Sequence, residues 1–389
     1  MQRSLFLARQ LSKAPERYLV FNFTPTLMNR MTIYIILGIF ALSVIAYFVF
    51  RQKPKSELEN YLISSQSQSN DRIKNLNLDK PSENASYTLD TNKLSFPDII
   101  RETENMEYKA DNEREWVINL TSTESVSFKK SDFDKMFDYD WRSKFHSTIY
   151  GFSPEENRWT YADAGDSPEV FSKLQVAVDI QDVFNEETPD YNRQKLKRYI
   201  DELEKRIKKY PIKLKIEQSE TIESAITKAK KLVQLNQEFN LDAIIVLQAD
   251  NHFKGIKMWD VLQSVGLKWG DGDLFHWGND KNYGHDQNFS VWTTTEPGYF
   301  FPEEIKHGNM NPQNLIFGFS IPRCADPKNV YAIMLNSVKY CQKRLGGQVL
   351  DRNMKPLDEE KSKQELSAFL TRMEHKGLIS GSDKALRMF

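Results

Sequence analysis

Between Leu241 and Asp351, four short runs alternate side chains with a period of two, and both faces of the strands they predict carry apolar residues. A sheet backed by helices normally keeps its other face polar, so this pattern implies a second face built to be covered. In Ala243–Ala249, Ile245 and Leu247 fall on one face and Ile244, Val246 and Gln248 on the other. Asp273–His276 separates Phe275 from Leu274 and His276, and Phe289–Thr294 separates Phe289 and Val291 from Ser290, Trp292 and Thr294. In the fourth run Phe317, Phe319 and Ile321 alternate with Ile316, Gly318 and Ser320. The Phe-rich face is expected to lie under helices. The other face, with Ile244, Val246, Leu274, Trp292, Thr294, Ile316 and Gly318, is the mixed surface that suits a peptide.

Helical periodicity fills the gaps between these runs. The order is strand, helix (Lys257–Val265), three strands, helix (Lys328–Leu345), strand (Gln348–Asp351) and a polar helix from Glu359 to Glu374. The fold class expected is α+β, a mostly antiparallel sheet with helices packed on one face. Upstream, Lys173–Ile180 and Ile212–Ile216 read as strands. Tyr191–Lys209 and Ile222–Phe239 read as amphipathic helices, the first with Leu196, Tyr199, Ile200, Leu203 and Ile207 on one stripe. With the aromatic-rich stretch from Phe133 to Tyr161, these define an additional α/β module over 131–240, of no recognised family.

The order of short signatures across the C-terminal region resembles the C-terminal domain of ZipA-like cell division proteins. They are Ala243-Ile244-Ile245-Val246, Gly266, Gly270-Asp271, His276, Phe289-Ser290, Pro297-Gly298 followed by Phe300-Phe301-Pro302-Glu303, Phe319, Ile321-Pro322, and Gly346-Gly347-Gln348-Val349-Leu350-Asp351. No single one is specific; their order from 241 onward carries the likeness. The resemblance implies a domain over 241–389 that binds the C-terminal tail of FtsZ, the tubulin-like ring protein, in a shallow apolar groove on the open sheet face. The positions that match by register are Ile244, Val246, Leu274, Trp292, Thr294, Ile316 and Gly318. Gly272 and Gly318 stand where such grooves usually present large apolar side chains, and Trp292 where a small one is common, which moves the expected anchor to Trp292.

Thr32–Phe50 is a run of 19 residues without a charge, the length that crosses a ~30 Å hydrocarbon core. It is expected to be a single transmembrane helix over 32–50, after an N-terminal extension (1–31) in which Met28 or Met31 is an alternative start. With either start, the charges Arg51, Lys53 and Lys55 just after the span place the rest of the chain in the cytoplasm. From the full sequence, with Arg3, Arg9, Lys13, Arg17 and Arg30 ahead of the span, the bias points the other way. Residues 51–130 are rich in Ser, Asn, Asp, Glu and Lys, and read as a polar, mostly disordered linker, with local structure open around Leu94–Tyr108 or Trp116–Phe128. A flexible chain of ~75 residues has a root-mean-square reach of roughly 50 Å.

The remaining composition narrows the function classes. Formal net charge is −1, which gives no field to attract nucleic acid. Cys324 and Cys341 are the only cysteines, too few for a disulfide framework. There is no phosphate-loop motif, no Gly-x-Ser-x-Gly elbow and no His-Glu-x-x-His. His252, His276, His285 and His307 with Asp271 or Asp273 lack metal-ligand spacing, and Gly270-Asp271-Gly272-Asp273 lacks the Glu that completes a calcium loop, so it reads as a turn entering a strand. No cofactor, metal or catalytic residue is expected. The reading is a non-enzymatic adaptor that tethers FtsZ to the cytoplasmic face of a bacterial inner membrane. The alternative is an envelope-attached enzyme or ligand-binding protein acting through 131–240. A reporter active only in the cytoplasm, fused after Phe389, is expected to be active; activity of a periplasmic reporter alone at that point excludes the tethering reading.

Overall fold

Alternating runs pair into strands in the computed structural model of the chain, whose described residues form a five-stranded, a six-stranded and a two-stranded sheet. It describes residues 67–81, 89–96, 108–124, 127–184, 188–210, 213–281 and 283–389. The expected membrane span at 32–50 lies outside these residues; among the described residues no helix is long and apolar enough to cross a membrane. The chain divides into two compact units, one formed by 98–241 with 376–389, the other by residues up to 97 with 242–375.

The first unit holds β1 (Glu115–Ser122), β2 (Phe128–Lys129), β3 (Thr148–Ser153), β4 (Arg158–Tyr161), β5 (Val170–Phe171), β6 (Lys173–Asp179) and β7 (Leu214–Gln218). Five of these make an antiparallel sheet in the order β4-β3-β6-β1-β7, and β2 pairs with β5. Trp116, Ile118 and Leu120 of β1 share a buried face. Onto it comes Tyr199 of the helix Pro189–Ile207, edge-on to Trp116 with ring centroids 6.3 Å apart. The expected stripe Leu196, Tyr199, Ile200, Leu203 and Ile207 is buried along its whole length. Thr221 caps the helix Ile222–Phe239 through its hydroxyl, which accepts from the Ser224 amide.

Two of the expected boundaries move. The stretch 51–130 is not all linker, because β1 lies inside it and sits between β6 and β7 with Trp116, Val117, Ile118 and Leu120 fully buried. Its short apolar run is diluted by the polar residues around it when composition is averaged. The C-terminal domain does not keep residues 376–389. Those belong to the first unit, where Lys384 pairs with Glu113 at 2.9 Å, Arg387 with Asp111 at 3.3 Å, and the Met388 carbonyl accepts from Asn236 Nδ2 at 3.2 Å. The hydrogen bond from Lys384 is the main reason the Glu113 carboxyl titrates below its usual range.

The second unit contains β8 (Asp242–Gln248), β9 (Lys268–Trp269), β10 (Phe275–Gly278), β11 (Gln287–Trp292), β12 (Asn314–Ser320) and β13 (Gln348–Leu350). They form one antiparallel sheet in the order β13-β8-β12-β11-β10-β9, which is the architecture expected from the sequence. The helices Gly255–Ser264 and Pro327–Leu345 cover the Phe-rich face. There Trp259 meets Phe275 edge-on at 4.7 Å, and Phe275 meets Phe300 at 5.5 Å. The helix Pro327–Leu345 starts where Pro327 follows Asp326, whose carboxylate accepts from the Asn329 amide, and stops at Gly346 with φ 82°.

Residues from the supposed linker also complete this unit. Residues 67–75 are helical, and Arg72 forks onto Glu303 with two hydrogen bonds of 2.6 Å while its guanidinium lies 5.2 Å from the Trp269 ring centroid. Further on, the Leu78 carbonyl accepts from Trp259 Nε1 at 2.9 Å and Gln263 Nε2 at 2.6 Å, and the Ser95 amide donates to Asp326 at 2.7 Å. A few anchors in a polar segment do what composition disguises. Because Arg72 is about a third exposed, Arg72→Ala in the full chain is expected to cost only about 1 kcal/mol in urea titration. A chain truncated after His375 should show faster amide exchange in β1 and around Asn236; unchanged exchange would mean the C-terminal helix contributes no stability there.

Candidate functional site

The register of the second sheet fixes which side chains meet on the face away from its helices. Ile316 lies opposite Val246 and Trp292, and Gly318 lies opposite Ile244 and Ser290. Ile244, Val246 and Ile316 form one apolar cluster with Leu350, and Trp292 packs against it. Leu350 is not among the residues expected from sequence, although its place opposite Val246 follows from the alternation in Gln348–Asp351.

Gly318 explains where the indole goes. A Cβ there would come 2.6 Å from Cη2 of Trp292, so the ring lies over the glycine and fills the space a side chain would occupy. Bulk that β12 lacks is thus supplied from β11, the compensation that the pairing of a glycine with an unusual Trp suggests. The cluster beneath is not an open groove. Val246 and Ile316 are each 1 % exposed and Ile244 9 %, which leaves Trp292 and Leu274, both half-buried, as the accessible apolar side chains among the expected site residues. Leu274 stands one position before the Phe275–Val291 pair and so falls beside Trp292 in the extended register. It comes directly after a 3-10 turn at Asp271–Asp273, the turn expected from Gly270-Asp271-Gly272-Asp273.

Thr294 is placed differently from the expectation. β11 ends at Trp292, so Thr294 is off the ladder, exposed, and held by Asn314: its amide donates to Asn314 Oδ1 at 2.9 Å, and its hydroxyl accepts from Nδ2 at 2.6 Å. Asn314 Oδ1 also accepts from the buried Thr293 hydroxyl at 3.1 Å. One buried carboxamide therefore closes the end of the strand pair that carries Trp292, a role that polarity alone does not reveal.

His276 lies on the same face at 9 % exposure, with both ring nitrogens occupied. Nε2 donates to the Asp271 carbonyl at 2.7 Å, and Nδ1 lies 2.8 Å from the Ser290 hydroxyl, which also bonds Gln287 Oε1 at 3.1 Å. Burial pushes its pKa below the usual imidazole value, so it is neutral near pH 7 and braces the turn before Leu274 against β11. Among the described residues no three His, Cys, Asp or Glu side chains converge on a metal site. Both cysteines are buried, free thiols whose pKa burial raises.

The unit is thus an antiparallel sheet with helices on one face and, on the other, an aromatic lying over an aliphatic cluster. Residues 241–367 match the family described as ZipA, C-terminal FtsZ-binding domain, so the second unit is a domain of ZipA type. The chain is 30 % identical over 107 residues to the cell division protein ZipA of Shewanella loihica, covering 28 % of this chain and 31 % of that protein. It is 30 % identical over 122 residues to ZipA of Vibrio cholerae, covering 31 % of this chain and 41 % of that protein. With ZipA of Marinobacter nauticus the identity is 24 % over 128 residues, covering 32 % and 37 %. The chain thus spans only about a third to two fifths of the length of these curated relatives.

The state of His276 sets a pH dependence. Because its folded pKa lies below the unfolded value, the stability tied to its neutral form is full above ~6.5 and is lost as pH falls below it. Its imidazole resonance is expected to titrate with a midpoint below ~6.5. A midpoint above that value would show that the ring is not held neutral by burial.

Proposed function

We propose that this chain is a cell division adaptor whose ZipA-type unit binds the C-terminal tail of FtsZ on the face carrying Trp292, and whose N-terminal segment holds it at the cytoplasmic side of the inner membrane. The observation that supports the reading most is Trp292 lying over Gly318, an aromatic anchor half-exposed on an aliphatic bed, in the region that matches an FtsZ-binding domain. Ile244, Val246 and Ile316 form the bed, Gly318 the slot, and Leu274 and Thr294 the flanks of the docking surface. Binding here is burial of apolar area against a rigid platform, with no bond made or broken, and no catalytic residue takes part.

Anchoring rests on the uncharged run Thr32–Phe50. The segment at 67–81 docked on this unit shortens the tether. From Arg51 to residue 67 a flexible chain has a root-mean-square reach of only roughly 22 Å, so the binding face works close beneath the bilayer. This is a tighter leash than a free linker over 51–130 would give.

A buried aromatic anchor carries ~2 to 4 kcal/mol at an interface, so Trp292→Ala is expected to weaken binding of an FtsZ tail peptide by roughly thirty-fold or more. The same change should lower stability far less than Phe317→Ala, which empties a fully buried site under the helices. Calorimetric titration with the peptide checks the affinity, and urea unfolding of both variants checks the stability order. Unchanged tail affinity in a folded Trp292→Ala, Ile316→Ala double variant would exclude this face as the FtsZ site.

A further inference from the structure

A cavity of about 480 Å³ opens in the second unit one residue beyond Thr294, where the chain leaves β11 and re-enters the sheet at β12. Thr295, Glu296, Pro297, Phe301, Glu304 and Met310 form most of its wall. Its frame is held by hydrogen bonds that leave no slack. The Thr295 hydroxyl accepts from the Gln313 amide at 2.9 Å, and Asn311 Oδ1 accepts from the Gly255 amide at 3.0 Å. Gly255 has no room for a Cβ against the Met310 carbonyl, so the loop closes directly on the helix start.

The wall divides by chemistry. Pro297, Phe301 and Met310 give an apolar side, whereas Glu296 and Glu304 bring two carboxylates; His252 is the one basic side chain in the wall, and no Lys or Arg lines the cavity. Neither glutamate is in an ion pair among the described residues; the Glu304 carboxylate accepts a neutral hydrogen bond from Asn309 Nδ2 at 2.9 Å. An apolar wall leading to unpaired carboxylates fits a long aliphatic stem that ends in a cation.

We propose that this cavity is a subsite for one cationic side chain, Lys or Arg, of the peptide that docks across the Trp292 face. The stem lies on Phe301, Pro297 and Met310, and the charge sits between Glu296 and Glu304. The proposal rests on reading that face as a peptide site, and it adds polarity to the interface: an apolar anchor at Trp292 and a charge clamp past Thr294 fix the direction in which the peptide runs.

The test titrates the full chain and its Glu296→Gln, Glu304→Gln variant with an FtsZ tail peptide and with the same peptide carrying norleucine at every Lys and Arg. The variant is isosteric, and near-ultraviolet dichroism checks its fold. It is expected to bind the native peptide about three- to tenfold more weakly and the norleucine peptide as the wild type does. An equal loss for both peptides, or no loss for the native one, overturns the subsite while leaving the FtsZ reading intact. A second probe works without FtsZ. Nα-acetyl-lysinamide, but not its norleucine counterpart, is expected to shift the amide resonances of Thr295, Asn309 and Asn311 in the wild type and not in the variant. That result supports the subsite even where the wild type binds no tail, in which case it is the FtsZ reading that falls. Equal shifts from both amides, in both proteins, overturn the subsite.

Discussion

An antiparallel sheet with apolar residues on both faces must be covered twice, and that requirement organises the second unit. The helices Gly255–Ser264 and Pro327–Leu345 cover the Phe-rich side. On the other side Ile244, Val246 and Ile316 are brought together by β8–β12 pairing, and the bulky covering residue reaches them from the neighbouring strand. Gly318 makes this possible, since any side chain at that position would meet the indole. A small residue and a large one on adjacent strands thus act as one unit of packing, and neither can be understood from its own position. The indole leaves its remaining apolar surface open to solvent, so the cluster beneath is buried while its cover stays partly exposed.

Polar groups hold that edge in place. Asn314 ties Thr293 and Thr294 to the start of β12, and His276 ties the Asp271 turn to Ser290. Both sit where the strands end, at the two flanks of Trp292. Without such bonds the strand ends would fray, and a side chain that depends on a slot one strand away would lose its register. The polar residues interspersed on this face are therefore braces for the apolar ones as much as solvating groups.

The periodic parts of the chain are legible in its sequence and the aperiodic parts are not. The alternation in Ala243–Val246 and Ile316–Ile321 defines two paired strands and the side chains facing each way, because a period of two leaves no freedom once one face is assigned. Leu350 is equally readable from its strand, though the peptide-facing set drawn from sequence omits it. Thr294 is misplaced there because sequence does not mark where a ladder stops, and here the stop is set by a carboxamide twenty residues away. The docking of 67–81 leaves still less trace: Arg72 and Leu78 in a polar stretch set no period, and their partners Trp259, Trp269 and Glu303 lie about two hundred residues on. Long-range pairing of isolated residues is the information that composition averages away.

The same limit explains why the domain boundaries shift. In each unit the first strand lies between the last two, β1 between β6 and β7 and β8 between β12 and β13, and a long helix makes the crossover joining those outer strands. Such a split arrangement cannot close until its final strand is in place, so a unit needs residues from both ends of its stretch of chain. For the first unit the early end is β1, hidden in polar sequence, and the late addition is the helix Asp383–Met388, separated from the rest in sequence by the whole of the other sheet. A boundary drawn by composition at 130 therefore cuts across closure contacts, and a fragment of 131–240 lacks β1 and the helix Asp383–Met388 that its own core requires, whereas the boundary at 241 coincides with the division between the two units in sequence.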